Sequence, residues 1–312
     1  MKHNQLKGKL VLLLVLFTIS CKKNEVPQPS FDVKVPKSTY RVGEPVPFTF
    51  DGNPDFISFY SGQFGNDYAF SNGRIMDIKT FSMSFQTRLQ AGGQNKQLSV
   101  LISSNYNGEK NISAVNSASW TDLTSSFSFS LTTLDYFSSG ELNLSSIVTD
   151  KTKPLYVAFR YITLPQTTAN GVYRNTVVRN FLFNTKTDAG TSVAMDQLSA
   201  GWSLLEEGPI LESGRNSVNA SSGLITLRGN ITAAGKLVQT EIWAISKPVN
   251  LNAIDLGPDR GTAIKGISDP VPSVYNFTYT TPGTYKVVFS AANSRLYGEK
   301  SITKEANITI TP

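Results

Sequence analysis

An all-β protein, a jelly-roll β-sandwich plus a second and smaller β-sandwich, is what this sequence predicts on three observations. From Gln97 to Thr163 the runs QLSVLISSNYNG, SWTDLTSSFSFSLTT, SSGELNLSSIV and KPLYVAFRYIT alternate β-branched, aromatic and hydroxyl residues. Asn, Gly, Ser and Pro punctuate them, and no helical period intervenes. Aromatic residues make up 11% of the chain and charged ones only 17%, the balance of an extracellular all-β protein.

In chain order, residues 1–20 read as an export leader. Lys2, Lys7 and Lys9 form a basic start and Leu10 to Phe17 an apolar run, and Thr18-Ile19-Ser20 leads to Cys21. That run is far short of the about 20 residues a membrane span takes and suits a secretory signal. Small Ser20 before the single cysteine resembles a bacterial lipobox, although Thr18 stands where such sequences carry Leu, Val or Ile. On that resemblance Cys21 is diacylated and anchors the protein to a membrane. The alternative is that Cys21 merely ends a cleaved peptide. A lone thiol makes no internal disulfide, so no structural role competes with acylation. Several acyl chains hold firmly where one is marginal. Residues 21–30 are then a short extended tether.

Leaving out the three leader lysines turns 29 basic against 23 acidic residues into 26 against 23, a net +3. With no Lys/Arg cluster beyond Lys22-Lys23, nucleic acid is not an expected partner. Roughly 290 residues after the leader imply two domains rather than one small sandwich.

The first flank, 31–74, opens with FDVKV and continues through TYRVGEPVPFTFDG and PDFISFYSGQFGNDYAF. Val42, Val46, Phe48 and Phe50 alternate as on a strand with one buried face. The other flank, 252–312, carries YNFTYTTPGTYKVVFSAANS, with a tight turn at Pro282-Gly283 and Tyr285, Val287 and Phe289 on one strand face. PGTYKVVF resembles the second half of the polycystic-kidney-disease-type (PKD) immunoglobulin-like domain, and VGEPVPFTF resembles its first half. The W-x-F-G-D-G segment of that domain is absent as such. FYSGQFGND echoes it, and DLGPDRG at Asp255 competes for the place. Two flanks that each hold half a sandwich point to one discontinuous PKD/Ig-like domain with the middle inserted at a loop; two separate β-units are the alternative.

The middle, 75–251, starts with MDIKTFSMSFQTRL and later reads VVRNFLFNTKTDAG, GWSLLEE, SSGLITLRGN and TEIWAISKPVNL. With the central block this gives enough strands for a jelly roll. Leu98 to Ser103, Trp120 to Thr124, Ser139 to Ser145 and Tyr156 to Tyr161 resemble, in the same order, four segments of galactose-binding-like jelly rolls of the choice-of-anchor type. As a whole the chain resembles an uncharacterised family of Bacteroidetes surface lipoproteins. That resemblance implies a place in the outer membrane, facing outward, beside the importer of a polysaccharide-utilisation system, where the protein holds a glycan or other polymer.

The chemistry present is sparse. His3 is the one histidine and lies in the leader, which removes Ser-His-Asp, Cys-His and the usual zinc arrangements from the mature protein. No phosphate-cradling glycine motif occurs. The nominal acids for a two-carboxylate glycosidase are Asp122, Glu141, Glu206 and Glu207, all at strand ends, where solvated charge is the simpler reading. No cofactor or metal is implied. Calcium suits extracellular sandwiches, yet Asn105 to Gly108 offers neutral amides where carboxylates are wanted and reads as Asn-Gly turn chemistry. A non-catalytic protein is therefore expected. Glycan binding needs an apolar ring face beside hydrogen-bonding groups. This singles out the loop residues Tyr106, Asn107, Tyr136, Tyr173 and Arg174, whereas Trp120, Trp202 and Trp243 sit in strand patterns and belong to the core. The other function class is a scaffolding lipoprotein that docks onto a second outer-membrane protein and binds no sugar.

Overall fold

The computed structural model describes residues 25–90, 92–129 and 135–312. The expected leader and Cys21, the expected acylation site, lie outside the described residues. The chain forms two compact units: Gly257–Pro312 with the described residues up to Arg74, and Ile75–Leu256. The first segment supplies strands β1 (Phe31–Lys34), β2 (Thr39–Arg41), β3 (Pro45–Gly52) and β4 (Phe56–Tyr60). The inserted segment supplies β5 (Ile75–Asp77), β6 (Thr80–Gln90), β7 (Leu98–Ser103), a short helix α1 (Ile112–Ser117), β8 (Thr121–Asp122) and β9 (Phe137–Asn143). It continues with β10 (Tyr156–Thr163), β11 (Asn175–Thr187), β12 (Gly190–Asp196), β13 (Ser203–Glu207) and β14 (Ser217–Val218). It ends with β15 (Ile225–Leu227), β16 (Thr240–Ile245) and β17 (Ala253–Asp255). The returning segment supplies β18 (Thr262–Lys265), β19 (Val274–Thr278), β20 (Gly283–Arg295) and β21 (Gly298–Thr311).

The smaller unit is a sandwich of a three-stranded sheet, β1-β3-β19, on a five-stranded one, β18-β4-β20-β21-β2. Each sheet mixes strands from both flanks, because neither flank alone has enough strands to cover its apolar face. Val46, Phe48, Ile57, Phe59, Phe289 and Ile308 are fully buried between the sheets. Val42 does not join them. It lies in the turn before β3 and is 39% exposed, so the buried face begins at Val46. FYSGQFGND and DLGPDRG, rivals for one motif in the sequence, meet in space. The Asp67 N–H donates to Asp259 Oδ2 at 2.9 Å, and the Arg260 N–H donates to the Gly65 carbonyl at 3.2 Å. The described part of the expected tether is docked rather than free. Val26 is buried, Gln28 Nε2 donates to the Ser301 carbonyl, and the Pro27 carbonyl accepts from Asn293 Nδ2.

In the larger unit a five-stranded sheet, β13-β16-β10-β7-β8, packs on a six-stranded one, β14-β15-β11-β6-β9, with β12 also paired to β11. Alternate residues face inward: Phe81, Met83 and Phe85 of β6 meet Val157, Phe159 and Tyr161 of β10 in one core. The alternation in β11 breaks once. Thr176 and Val178 are buried before the break and Phe181, Phe183 and Thr185 after it, with Asn180 at φ 51° and a register shift against β6 between Arg179 and Leu182. That is a β-bulge, and it turns both Arg179 and Asn180 outward. The described part of SWTDLTSSFSFSLTT, 119–129, is not the continuous strand its pattern suggests. Among these described residues only Thr121–Asp122 is a strand, and Leu123 and Phe127 then reach the core from turns. The boundary also moves. Ala253–Asp255 pairs antiparallel with Ile75–Asp77, so the inserted unit runs to Leu256 rather than to 251.

Candidate ligand-binding groove at the loop end of the larger unit

The ends of β6 and β10 and the starts of β7, β11 and β16 gather at one end of the larger sandwich. Tyr161 is registered with Leu98, Thr163 with Thr240, and Asn175 with Gln90. Two buried glutamines hold the loops there. Gln94 Nε2 donates to the carbonyls of Leu164 (2.9 Å) and Gly171 (3.1 Å), and its Oε1 accepts from the Leu164 N–H at 3.0 Å. Gln97 Oε1 accepts from the Arg174 N–H at 2.8 Å, while its Nε2 donates to the Ile162 carbonyl at 3.2 Å. These buried amides bond backbone groups of both loops and so tie the loops to each other. The backbones also approach closely: at Gly92, φ 118°, a Cβ would fall 2.2 Å from the Tyr173 carbonyl oxygen, so only glycine fits.

Tyr173 and Arg174, both singled out in the sequence, lie in this end, half-buried. The Tyr173 hydroxyl accepts from Arg215, and its ring covers Gly229, where a Cβ would sit 2.8 Å from ring carbons. Arg174 donates from Nε to the Gln94 carbonyl at 2.9 Å, and its own carbonyl accepts from the Tyr161 hydroxyl at 2.6 Å. Burial pushes the Tyr161 phenol well above its ordinary pKa, so it remains a donor.

Beside this clamp lies a groove of about 1050 Å³ lined by Leu89, Lys96, Leu98, Asp122, Phe129 and Arg174, among others. Tyr173 opens on the other side of the clamp, into a cleft of about 650 Å³ with Gln90, Asn175 and Lys236. Lys96 holds a left-handed backbone, φ 54°, uncommon for a residue with a side chain. Leu89, Leu98 and the half-buried Phe129 give the groove an apolar wall, and Asp122, Arg174 and the amide of Asn95 give it polar groups of both signs. Such a lining accommodates a polyhydroxylated ligand: ring faces against the apolar wall, hydroxyls to the charges and amides.

Tyr136 is half-buried, with the guanidinium groups of Arg179 (3.3 Å from ring centroid to Cζ) and Arg88 (4.7 Å) over its ring. Tyr106 and Asn107 are elsewhere. They follow β7 and so stand at the opposite end of the sandwich. Tyr106 is 6% exposed, packed against Tyr156 and Trp120, with its hydroxyl donating to the Glu109 carbonyl. It offers no ring face to a sugar, because α1 and the loop around it need an apolar anchor on the sheet. Asn107 Oδ1 accepts from the Glu109 N–H at 3.0 Å, a local turn bond. Trp202 and Trp243 are buried, and Trp120 is half-buried against Trp243.

Sequence reasoning missed Gln94, Gln97, Phe129 and Lys96. The signal for the first two and for Lys96 is the QNKQ cluster after Gly92-Gly93, which marks a turn but not which backbone groups the amides will meet; Phe129 is one ring in the SFSFS run, with nothing to set it apart from the buried Phe127. Among the nominal acids only Asp122 lines the groove. Glu141 instead accepts from Ser82, and Glu206 accepts from Asn216 Nδ2 at 2.8 Å. Among the described residues no three His, Cys, Asp or Glu side chains come together to hold a metal, and no helix is long and apolar enough to cross a membrane.

Neither a curated protein nor a solved structure matches the chain. A family profile described as a domain of unknown function, DUF5017, matches residues 20–202, from before the first described strand through most of the larger unit. That is more than half of the 312 residues, and the chain belongs to the DUF5017 family.

Proposed function

We propose that this protein is a non-catalytic outer-membrane lipoprotein, anchored at Cys21 and facing outward, that holds a glycan or similar polymer at the cell surface within a polysaccharide-utilisation system. The observation that supports it is the loop-end groove, in which the half-buried ring of Phe129 stands beside Asp122 and Arg174 on a loop clamp that is already rigid. A preformed site loses little ordering entropy on binding. Gel-retardation against a panel of neutral polysaccharides tests it. The wild type should be slowed by at least one, and Phe129→Ala and Asp122→Asn should each weaken that retention roughly tenfold. Retention unchanged in both variants would place the ligand somewhere else.

A second reading, docking onto another outer-membrane protein, is favoured by one feature. Leu296 and Tyr297, at the turn between β20 and β21, are 90% and 69% exposed. Co-purification of a defined outer-membrane partner that Leu296→Ser and Tyr297→Ser abolish would support that reading instead.

A further inference from the structure

The outward face of the six-stranded sheet carries three arginines that no ion pair among the described residues uses. Arg88 on β6, Arg179 on β11 and Arg228 just beyond β15 are all half-buried. None has a carboxylate within salt-bridge distance among the described residues. Arg179 commits Nε to Gln86 Oε1 at 3.1 Å, and Arg228 commits Nε to Asn175 Oδ1 at 3.4 Å; their terminal nitrogens make no hydrogen bond among the described residues. Arg88 Nε is buried and has no hydrogen-bond partner among the described residues. The register puts the three side by side: Arg88 is opposite Val177, Arg179 opposite Gln86, and Asn175, which meets Arg228, opposite Gln90. A cleft lies on either side. One contains Gln86, Asn180 and Ser138, with Asp196 at its far side held by the Ser199 hydroxyl and N–H, and the other contains Gln90, Asn175 and Lys236. Gln86 and Gln90 are four residues apart on one strand, about 13 Å.

We infer that this face binds an acidic polysaccharide, its uronate carboxylates taken by Arg88, Arg179 and Arg228 and its hydroxyls by the amides of the flanking clefts. A planar guanidinium matches a carboxylate with two parallel bonds. Half-buried arginines without acids keep a positive field that an anionic polymer would neutralise. The inference rests on the surface-glycan reading for the class of polymer, and on these residues alone for the site.

The test is gel-retardation of the full chain by polygalacturonate, by neutral laminarin and by a short single-stranded DNA. Polygalacturonate should retard the wild type, with a steep loss on adding salt. Arg88→Gln, Arg179→Gln and Arg228→Gln should each weaken retention roughly tenfold. Thermal melting of each variant checks that it folds. Polygalacturonate retention that survives the triple variant overturns the site. DNA bound as tightly as polygalacturonate shows a general polyanion surface and overturns the ligand class. Retention by laminarin alone, lost in Phe129→Ala, overturns this inference while sustaining the groove. No retention by any glycan overturns both.

Discussion

Each unit pins distant loops together with buried polar side chains, and the two do so in opposite ways. In the smaller unit Arg74 donates from Nε and Nη2 to both oxygens of Asp259, 2.9 and 2.7 Å away, with its guanidinium over the rings of Phe70 and Phe64. In the larger unit Gln94 and Gln97 do the pinning with neutral amides. A buried charged pair is strong while intact and leaves a stranded charge when one partner goes. An amide clamp does not titrate and adds no net charge, so the charge at the groove comes from Lys96, Asp122 and Arg174 among the described lining residues. The lesson is that a fixed joint and a ligand site make different electrostatic demands, and this chain keeps them apart.

The largest effect expected from breaking this contrast is on the charged joint. Arg74→Met should destabilise the smaller unit by about 3–5 kcal/mol, and the double change Arg74→Met with Asp259→Leu should recover most of it. Urea denaturation checks both. A loss below roughly 1 kcal/mol would mean the pair behaves like an exposed one. Acid should act in the same direction. The hydrogen bonds from Arg74 hold the Asp259 carboxyl below the ordinary aspartate value, outweighing the opposing effect of burial. Because the folded value is the lower one, this stabilisation is complete above the unfolded value and is lost as pH falls through the folded one, below about pH 4. A stability–pH curve for wild type should fall there more steeply than that of the double variant. Burial alone would raise Glu241 of the larger unit, but two bonds from Arg160 lower it, so that sheet is acid-sensitive too. The amide clamp is not, and hydrogen-exchange protection of the Leu164 and Arg174 amides, which donate to Gln94 and Gln97, should outlast that of the Asp259 amide.

Gln94→Leu comes next. It removes the partners of two carbonyls and one N–H, at a cost of roughly 2–3 kcal/mol to the larger unit, while the smaller unit's unfolding transition stays where it is. Gly229→Ala should cost about 1–2 kcal/mol by pushing the Tyr173 ring off its seat; near-ultraviolet circular dichroism would report the displaced ring. Tyr161→Phe is the mildest, about 1 kcal/mol for the hydrogen bond to the Arg174 carbonyl. A denaturation midpoint that does not move would show that water replaces the hydroxyl.

The all-β class was legible because alternation is local: Phe81, Met83 and Phe85 announce a buried face within a few residues. The loop end was only half legible. Tyr173 and Arg174 stood out as an aromatic and a cation in a polar loop, and both do line clefts there. Tyr106 looked the same and is buried, because a ring in a loop cannot show from sequence whether a helix will close over it. The bulge at Asn180 was invisible for a related reason. One extra residue moves the inward set from Thr176 and Val178 to Phe181 and Phe183, and nothing nearby but the partner strand requires it. Arg88, Arg179 and Arg228 lie far apart in sequence and become one surface only through register.

By itself, then, the sequence determined the all-β class and most of the strands, though not the stretch after β7, since hydrophobic period and turn residues act over a handful of positions. The tertiary structure alone decided which side chains meet: Arg74 with Asp259, Gln94 with Gly171, Arg88 with Arg179 over Tyr136. Those meetings depend on strand order and register, and these are fixed by burying whole sheet faces at once rather than by any local preference.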